Sequence, residues 1–323
     1  MELQKFAKKV VKALEEFYGS DTIIETHEVY KNNGLKLQGI CVLMPGKNVA
    51  PTVYLNRFFE QYKKGMEFAD ILSRIISLYE QNQVYQNLDV DFFLDYRKVK
   101  RKLVLRLIHK DKNRELLKEV PYQNFQDLAI VCHCLIMNET VGTGSVLVHR
   151  HHLESWRIDE AELFRAAWEN SPKLQPVSIQ KMGDMIKEIM EKAVEEKVDE
   201  ICSQYPQDKE RLLERTLEDM AKEINGQDIP MYVLTNQARY YGAACILYEG
   251  VLEKIAENLG GDFYILPSSV HEVILIKKQG REQKEEFNRM VCEVNASHVD
   301  PLDWLSDHVY LYKKEEKMVV FQD

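Results

Sequence analysis

The feature that most constrains the fold is a series of short apolar runs separated by tight polar turns. The first two runs, "TIIETHEVY" and "LKLQGICVLM", are joined by Lys31, Asn32, Asn33 and Gly34. An Asn-Gly pair tolerates positive φ at low cost, so this spacing predicts a β-hairpin. No run approaches the roughly 18 to 20 apolar residues that a membrane-spanning helix needs, which argues against a membrane protein.

The same pattern continues along the chain, where further apolar runs are joined in pairs by short polar segments. These pairs are "DLAIVCHCLIM" with "SVLVHRHHL", "MYVLT" with "GAACILY", "DFYIL" with "EVILIKK", and "HVYLYKK" with "KMVVF". A helical pattern follows the second pair and the third. Since short connections favour antiparallel pairing, the pattern predicts an α+β fold of mostly antiparallel sheets built from hairpin–helix units.

Apolar residues at helical spacing predict amphipathic helices in the first half of the chain. The three clearest segments are "MELQKFAKKVVKALEEF", "EFADILSRIISLYEQN" and "RIDEAELFRAAWEN". The last of these begins with Asp159 at the N-cap and Glu162 three residues later, which is a capping-box pattern. Asn170, Ser171 and Pro172 are predicted to end it.

Composition divides the chain into three predicted parts. They are an N-terminal α+β part (1–175), a helical pair (176–226) and a C-terminal α+β part of hairpins and helices (227–323). The middle part is rich in Glu, Lys, Met and Leu, and its apolar residues, which include Ile179, Ile186 and Ile189, recur at helical spacing. We expect this stripe to be buried within the chain, because exposing it would create a large hydrophobic patch.

Charge and cysteine content bear on partners and compartment. The net charge of −9 argues against direct nucleic-acid binding, since surfaces that bind phosphate are basic. Five of the six cysteines lie in apolar segments, which is typical of buried free thiols in a reducing compartment. The N-terminal helix does not have the pattern of a signal peptide, so the predicted location is the cytoplasm.

The segment "ILPSSVHEVILI" is the first candidate for chemistry. A zinc-protease helix needs a second histidine four residues after His271, and Leu275 occupies that position. A hydrolase nucleophile usually has flanking glycines, which this segment lacks. We therefore predict a turn over Pro267–His271 between two antiparallel strands. Polar residues of this turn and of the preceding predicted hairpin form a candidate binding patch: Asn236, Arg239, Ser268, Ser269, His271 and Glu272.

Two cysteines and two histidines are the candidate metal ligands. If both segments are strands, Cys132 and Cys134 share one face, and His149 and His151 share a face of the next strand. The apolar neighbours favour buried thiols, so we expect no structural zinc. The run "HRHH", which ends at His152, is predicted to be a solvent-facing strand end whose alternating side chains do not converge.

Cofactor motifs are missing from the sequence. The close glycine pairs Gly142/Gly144 and Gly260/Gly261 have neither the Lys-Ser/Thr of a phosphate-binding loop nor a dinucleotide fingerprint, so no cofactor is predicted. The acidic pair Asp300/Asp303 lacks the accompanying lysine or histidine pattern of a magnesium-dependent nuclease. Loop solvation explains this pair adequately.

Several segments spanning most of the chain outside 178–225 carry a family resemblance. They are "VYLNRFFEQYKKG", "DLAIVCHCLIM", "SVLVHRHHLESWRIDEAELFRAAWENSP" and "YVLTNQARYYGAACILYEGVLEKIAENLGGDFYILPSSVHEVILI". They resemble an uncharacterised bacterial family, a domain of unknown function that is loosely similar to the YtpQ-type proteins. The resemblance implies an intracellular α+β protein, bacterial or phage-borne, and it implies no activity, cofactor or functional residue.

These observations predict a non-enzymatic binding or regulatory protein with an unknown protein partner. Two alternatives stay open. One is a hydrolase or metal-dependent enzyme that uses the region of His271 and Glu272. The other is an acidic inhibitor from a mobile element that acts on a nucleic-acid enzyme by presenting carboxylates in place of phosphates.

Overall fold

A computed structural model describes residues 2–19, 21–47, 50–81, 90–138, 142–185, 231–267, 269–279, 283–297 and 299–321. Its α-helices are α1 (Leu3–Tyr18), α2 (Leu55–Lys63), α3 (Phe68–Gln81), α4 (Val90–Leu94), α5 (Tyr96–Val99), α6 (Leu116–Glu119), α7 (Arg150–Trp156), α8 (Glu160–Leu174), α9 (Val251–Leu259) and α10 (Gln283–Ser297). Its strands are β1 (Ile23–Tyr30), β2 (Lys36–Leu43), β3 (Thr52–Tyr54), β4 (Leu103–His109), β5 (Tyr122–Phe125), β6 (Leu128–Asn138), β7 (Gly142–Leu147), β8 (Val177–Lys181), β9 (Met231–Asn236), β10 (Phe263–Leu266), β11 (Val273–Lys277), β12 (Tyr310–Lys313) and β13 (Met318–Phe321).

The described strands form three antiparallel sheets, so the predicted α+β class is confirmed. The first sheet has the order β1-β2-β3. The second has the order β4-β6-β5, with β7 paired to β6. The third has six strands in the order β13-β12-β10-β11-β9-β8.

The chain divides into two compact units. Unit 1 comprises Met1–Leu105, Lys110–Gln123 and Val131–Asn170, and unit 2 comprises Arg106–His109, Asn124–Ile130 and Ser171–Asp323. Within the described residues, no helix combines the length and the apolar character that crossing a bilayer requires.

Unit 1 has its best-defined core where α1 packs on the first sheet. The apolar stripe of α1 includes Phe6, Val10 and Leu14, which are fully buried in one cluster with Ile40 of β2 and Ile71 of α3. Burying side chains of this size stabilises a fold by about 1.5 to 3 kcal/mol each. The apolar stripe predicted from the sequence therefore attaches α1 to the first sheet and to α3.

The first hairpin confirms its turn prediction. Tyr30 of β1 pairs with Lys36 of β2, and the chain between them reverses through left-handed φ values of 61° at Asn33 and 68° at Gly34. Asn and Gly are the residues that adopt this conformation at least cost. The Asn-Gly pair therefore fixes the register of the two strands.

Unit 2 has a core beside β10, β11 and β12. Tyr264, Ile276 and Leu311 lie in one buried cluster with Phe287 and Val291 of α10. β10 and β11 pair from Phe263–Lys277 to Leu266–Ile274. The turn predicted over Pro267–His271 therefore does connect two antiparallel strands.

One predicted hairpin is wrong. The segment "GAACILY" was expected to be a strand, but Gly242–Leu247 forms a 3₁₀ helix. Tyr241 turns the backbone with a φ of 54°, and the Ala243 N–H then donates to Val270 O at 3.2 Å. The apolar residues of this segment are buried in a 3₁₀ helix, so their apolar character alone could not distinguish a strand from a helix.

The helical pair was placed partly wrongly. Ile179 was expected on a helical stripe, but it lies in β8, where it pairs with Leu234 of β9. Backbone pairing with β9 determines the conformation of this segment, although its apolar residues have helical spacing. Residues 182–185 are helical, and the rest of the predicted pair, including Ile186 and Ile189, lies outside the described residues.

Helix α8 begins as predicted and ends later. The Glu162 N–H donates to Oδ1 of Asp159 at 2.7 Å, which confirms the N-cap. The predicted end at Pro172 is wrong, because the helix continues to Leu174. A proline this close to the end removes one backbone hydrogen bond of the last turn, and the Gln175 N–H donates to Ser171 O at 2.9 Å.

Candidate functional site

A polar and aromatic cluster of unit 2 is built around a turn that follows β9, Arg239–Tyr241, which we call the aromatic turn. Arg239 and Tyr241 have left-handed φ values of 51° and 54°, a conformation that costs energy for residues with bulky side chains. Fully buried Asn236 holds the turn. Its Nδ2 donates to Tyr240 O at 2.9 Å, and its Oδ1 accepts from the Tyr240 N–H at 3.3 Å.

His271 lies beside the aromatic turn, and both of its ring nitrogens have partners. Nδ1 accepts a hydrogen bond from the Tyr241 N–H at 3.1 Å, and Nε2 lies 3.3 Å from Oδ1 of Asp303. Because Nδ1 is an acceptor, the ring proton lies on Nε2 and is donated to Asp303. The ring also stacks on Tyr240, with centroids 5.3 Å apart. The imidazole therefore ties the aromatic turn to the β10–β11 connection and to Asp303.

Ser269 and Glu272 flank this histidine. Ser269 is buried, and its Oγ accepts a hydrogen bond from the His271 backbone N–H at 3.0 Å. Burial raises the pKa of Glu272, while His271 and a hydrogen bond from Ser269 act in the opposite direction. The serine hydroxyl is therefore engaged within its own loop.

Arg106 of β4 is the buried cation of the cluster. It is 1% exposed, and its guanidinium carbon lies 3.6 Å from the ring centroid of Tyr241 and 5.3 Å from that of Tyr240. Nε and Nη2 are buried and have no hydrogen-bond partner in the described part of the chain. None of the ion pairs found among the described residues involves Arg106.

This burial has a free-energy cost that the neighbouring rings offset only in part. Burial lowers the pKa of Arg106, and Tyr241 and Tyr240 oppose that shift through their charge and through side-chain hydrogen bonds, but a guanidinium stays protonated in proteins. Burying such a charge costs several kcal/mol, whereas a desolvated cation–π contact contributes about 2 kcal/mol. The guanidinium of Arg106 is therefore a buried cation that forms no ion pair with the described residues.

Gly242 allows the surrounding segments to meet. A Cβ at this position would lie 2.1 Å from Thr235 Oγ1, 2.5 Å from Asn236 N and 2.7 Å from His271 O. Thr235 Oγ1 in turn donates to His271 O at 2.7 Å. Only glycine fits between the end of β9 and the β10–β11 connection.

The structure brings together most of the binding patch that the sequence predicted. Four of its six residues lie in this cluster: Asn236, Ser269, His271 and Glu272. Arg239 points elsewhere and donates from Nη2 to Gln180 Oε1 of β8 at 2.8 Å. Ser268 lies outside the described residues.

The prediction for the run "HRHH" is wrong. His149 precedes α7 instead of lying in a strand, and a helical start brings the side chains of His149, His151 and His152 together, with ring centroids 4.0 to 5.7 Å apart. His152 Nδ1 accepts from the His149 N–H at 2.9 Å, and its ring stacks on Trp156. Burial and the neighbouring imidazoles lower the pKa of His152 to about 4.

These residues do not form the metal site considered from the sequence. Cys132 and Cys134 are fully buried in β6, and burial raises the pKa of the Cys134 thiol to about 11. His149 and His151 do not share a strand face with each other, since α7 begins between them. In the part of the chain that the structure describes, no three His, Cys, Asp or Glu side chains are placed to hold a metal ion. The predicted lack of structural zinc stays a prediction.

A groove of about 460 Å³ lies in unit 1 beside the first hairpin, and its charged residues are largely paired. Arg114 forms an ion pair with Asp111, and Lys118 forms one with Glu115. Its lining therefore offers a ligand less uncompensated charge than the cluster around Arg106.

Sequence reasoning missed Arg106, Tyr240 and Tyr241, and it considered Asp303 only as part of an acidic pair. One signal was available for Arg106. It is the single cation inside the apolar run "LVLRLI", where both strand faces are apolar, so its side chain had to be buried. No comparable signal marked Asp303, which meets His271 only through the fold.

Two kinds of comparison gave no relative: no curated protein and no solved structure matches the chain. A comparison with protein families did give one, since the family of unknown function DUF5688 matches residues 3–314. Because this match covers nearly the whole sequence, the chain belongs to the DUF5688 family.

Proposed function

We propose that the protein is a non-enzymatic binding protein and that its binding site is the cluster formed by Arg106, the aromatic turn and His271. The groups of this cluster suit recognition. Tyr240 is 45% exposed, and Arg106 supplies buried positive charge. Exposed aromatic and arginine side chains are the ones that contribute most to binding sites.

The observation that carries this proposal is the engagement of both ring nitrogens of His271. A general base needs a nitrogen that can reach a proton of the substrate or the nucleophile. A serine nucleophile also needs a hydrogen bond to its base, whereas Ser269 accepts from the backbone N–H of His271 and bonds to the carboxyl of Glu272 and not to the imidazole. The arrangement supports a structural role for the histidine and leaves recognition to the exposed Tyr240 that stacks on it.

The two alternatives have less support. A hydrolase or metal-dependent enzyme at His271 and Glu272 would need one free imidazole nitrogen, so Nδ1 would have to leave the Tyr241 N–H or Nε2 would have to leave Asp303. An acidic inhibitor of a nucleic-acid enzyme is motivated only by the net charge of −9.

We place this role inside the cell, with a protein partner or a small molecule as the bound species and without direct nucleic-acid binding. Free, buried thiols at Cys132, Cys134 and Cys245 support a reducing compartment. The bacterial origin and the looser likeness to the YtpQ-type proteins stay predictions.

Affinity capture from the source cells tests the proposal. The tagged wild type should retain a specific molecule that Tyr240→Ala loses, with the fold of the variant intact by circular dichroism. Tyr30→Ala is the matched control, because Tyr30 is a 63% exposed tyrosine of unit 1. Equal capture by all three proteins would contradict the proposal. So would a hydrolytic activity that is lost in folded Ser269→Ala and His271→Ala variants.

A further inference from the structure

Arg106 has a specific edge without a partner. The unpartnered atoms are Nε and Nη2, and these two nitrogens lie on the same side of the planar guanidinium. Their N–H bonds run parallel and are spaced to meet two oxygens of one group. This is the geometry in which arginine binds carboxylates and phosphates in a bidentate manner.

We propose that Arg106 is the receptor for an oxyanion, a carboxylate or phosphate group, of the molecule that unit 2 binds. This inference rests on the proposed binding function and names the chemistry of its ligand. An oxyanion supplies both the charge and the two acceptors that Arg106 lacks among the described residues. A hydroxyl or amide ligand would supply acceptors without neutralising the charge.

The aromatic turn is the cover of this receptor. Arg106 is 1% exposed, so an anion reaches Nε and Nη2 only after neighbouring residues move. The ring centroid of Tyr241 lies 3.6 Å from the guanidinium carbon, and we infer that this neighbour is the one that moves. The turn is suited to move, because two of its three residues have left-handed φ values. It is held closed by Asn236 and by Nδ1 of His271, both through backbone hydrogen bonds.

The closed form also explains why the positive charge is tolerated without ligand. The rings of Tyr240 and Tyr241 contact the cation and partly replace its hydration. An anion at the Nε–Nη2 edge adds the charge and the acceptors that the rings do not supply, so its binding favours the form in which that edge is open.

The test is thermal unfolding of the full chain in sodium phosphate, in sodium acetate and in sodium chloride at equal ionic strength. Phosphate or acetate should raise the Tm of the wild type by about 2–4 °C over chloride at roughly ten times its Kd. Arg106→Met should abolish this rise. Arg114→Met, which removes an exposed arginine of unit 1, should keep it. A Tm rise in phosphate alone would indicate a phosphate-bearing ligand, and a rise in acetate alone would indicate a carboxylate.

Arg106→Lys separates charge from geometry. It keeps the cation and loses the parallel donors, so oxyanion affinity should fall about tenfold or more. Titration of the ¹⁵N-labelled wild type gives a readout that needs no variant to be stable, since the Nε–H signal of Arg106 should shift on adding the oxyanion. An equal Tm rise in Arg106→Met would overturn the proposal. An unchanged Nε–H signal and Tm with both anions would overturn it as well.

These outcomes are distinct from those of the capture experiment. Capture that depends on Tyr240 together with no oxyanion binding would keep the binding function and reject Arg106 as the receptor. Oxyanion binding at Arg106 together with capture that is independent of Tyr240 would keep Arg106 as an oxyanion receptor and reject the proposed binding function.

Discussion

Each unit has a cluster that contains histidine, and the two clusters differ in what holds the imidazoles. In unit 1, His149, His151 and His152 contact one another, and burial keeps His152 neutral over most of the pH range, against the ring of Trp156. In unit 2, a single imidazole has a backbone donor at one nitrogen and Asp303 at the other. The first cluster packs as aromatic rings, whereas the second orders a turn over a buried cation.

This difference shows that the number of histidines in a segment is a poor guide to a site. Three of them in "HRHH" cap and pack the first turn of α7. His271 stands alone in the sequence, yet its partners come from segments about thirty residues away on either side, at Tyr241 and Asp303. Long-range partners of different chemical types are what distinguish the second cluster.

The largest effect that separates the two regions is expected for glycine substitutions. Gly242→Ala in unit 2 places a Cβ 2.1 Å from Thr235 Oγ1 and 2.5 Å from a backbone nitrogen, so the aromatic turn must shift. We expect a loss of about 3 kcal/mol in the free energy of unfolding, by urea denaturation. Gly144→Ala, in β7 of unit 1, meets only Ile136 O at 3.9 Å and should change stability little. Similar losses for both variants would contradict the tight packing at Gly242.

A smaller effect is expected for removing one imidazole from each cluster. His271→Ala leaves the Tyr241 N–H without its acceptor and removes the stacking on Tyr240, so we expect a loss of about 2 kcal/mol. His151→Ala removes an exposed ring that only contacts its neighbours, and it should cost less than about 0.5 kcal/mol. Equal unfolding free energies for the two variants would show that His271 does not hold the aromatic turn.

The smallest expected effect is a pH dependence that belongs to the cluster of unit 1. The folded-state pKa of His152 is lowered from 6.5 to about 4, so the unfolded chain binds more protons between these values. Stability should therefore fall as the pH is lowered through this window, by on the order of 1 kcal/mol for a ring that is partly exposed. His152→Phe keeps a ring against Trp156 and should show a shallower fall in urea denaturation. A fall parallel to that of the wild type would contradict the assignment to His152.

Much of the fold was predictable because it depends on local pattern. The stripe of α1 and the Asn33-Gly34 turn each follow from neighbouring residues, and the structure confirms both. Two of the errors occurred where a distant segment determines the conformation. Ile179 pairs with β9, and Gly242–Leu247 turns into a 3₁₀ helix against the β10–β11 connection.

The candidate site was predictable in part for the same reason. The polar turn at Ser269 and His271 stands out in the sequence, since apolar strands flank it. Its essential partners come from β4 in the case of Arg106 and from a loop before β12 in the case of Asp303. Their approach to His271 and the aromatic turn is a property of the folded unit, which residue spacing does not encode.

The tautomer of His271 tests most directly the claim that this residue orders a binding site and does not act as a base. Nitrogen NMR of the ¹⁵N-histidine-labelled protein, assigned with His271→Ala, identifies which ring nitrogen carries the proton. We predict a proton on Nε2 and an unprotonated, hydrogen-bonded Nδ1, as the contacts to Asp303 and to the Tyr241 N–H require. A proton on Nδ1, with Nε2 unprotonated and open to solvent, would contradict the account and favour catalysis at this site.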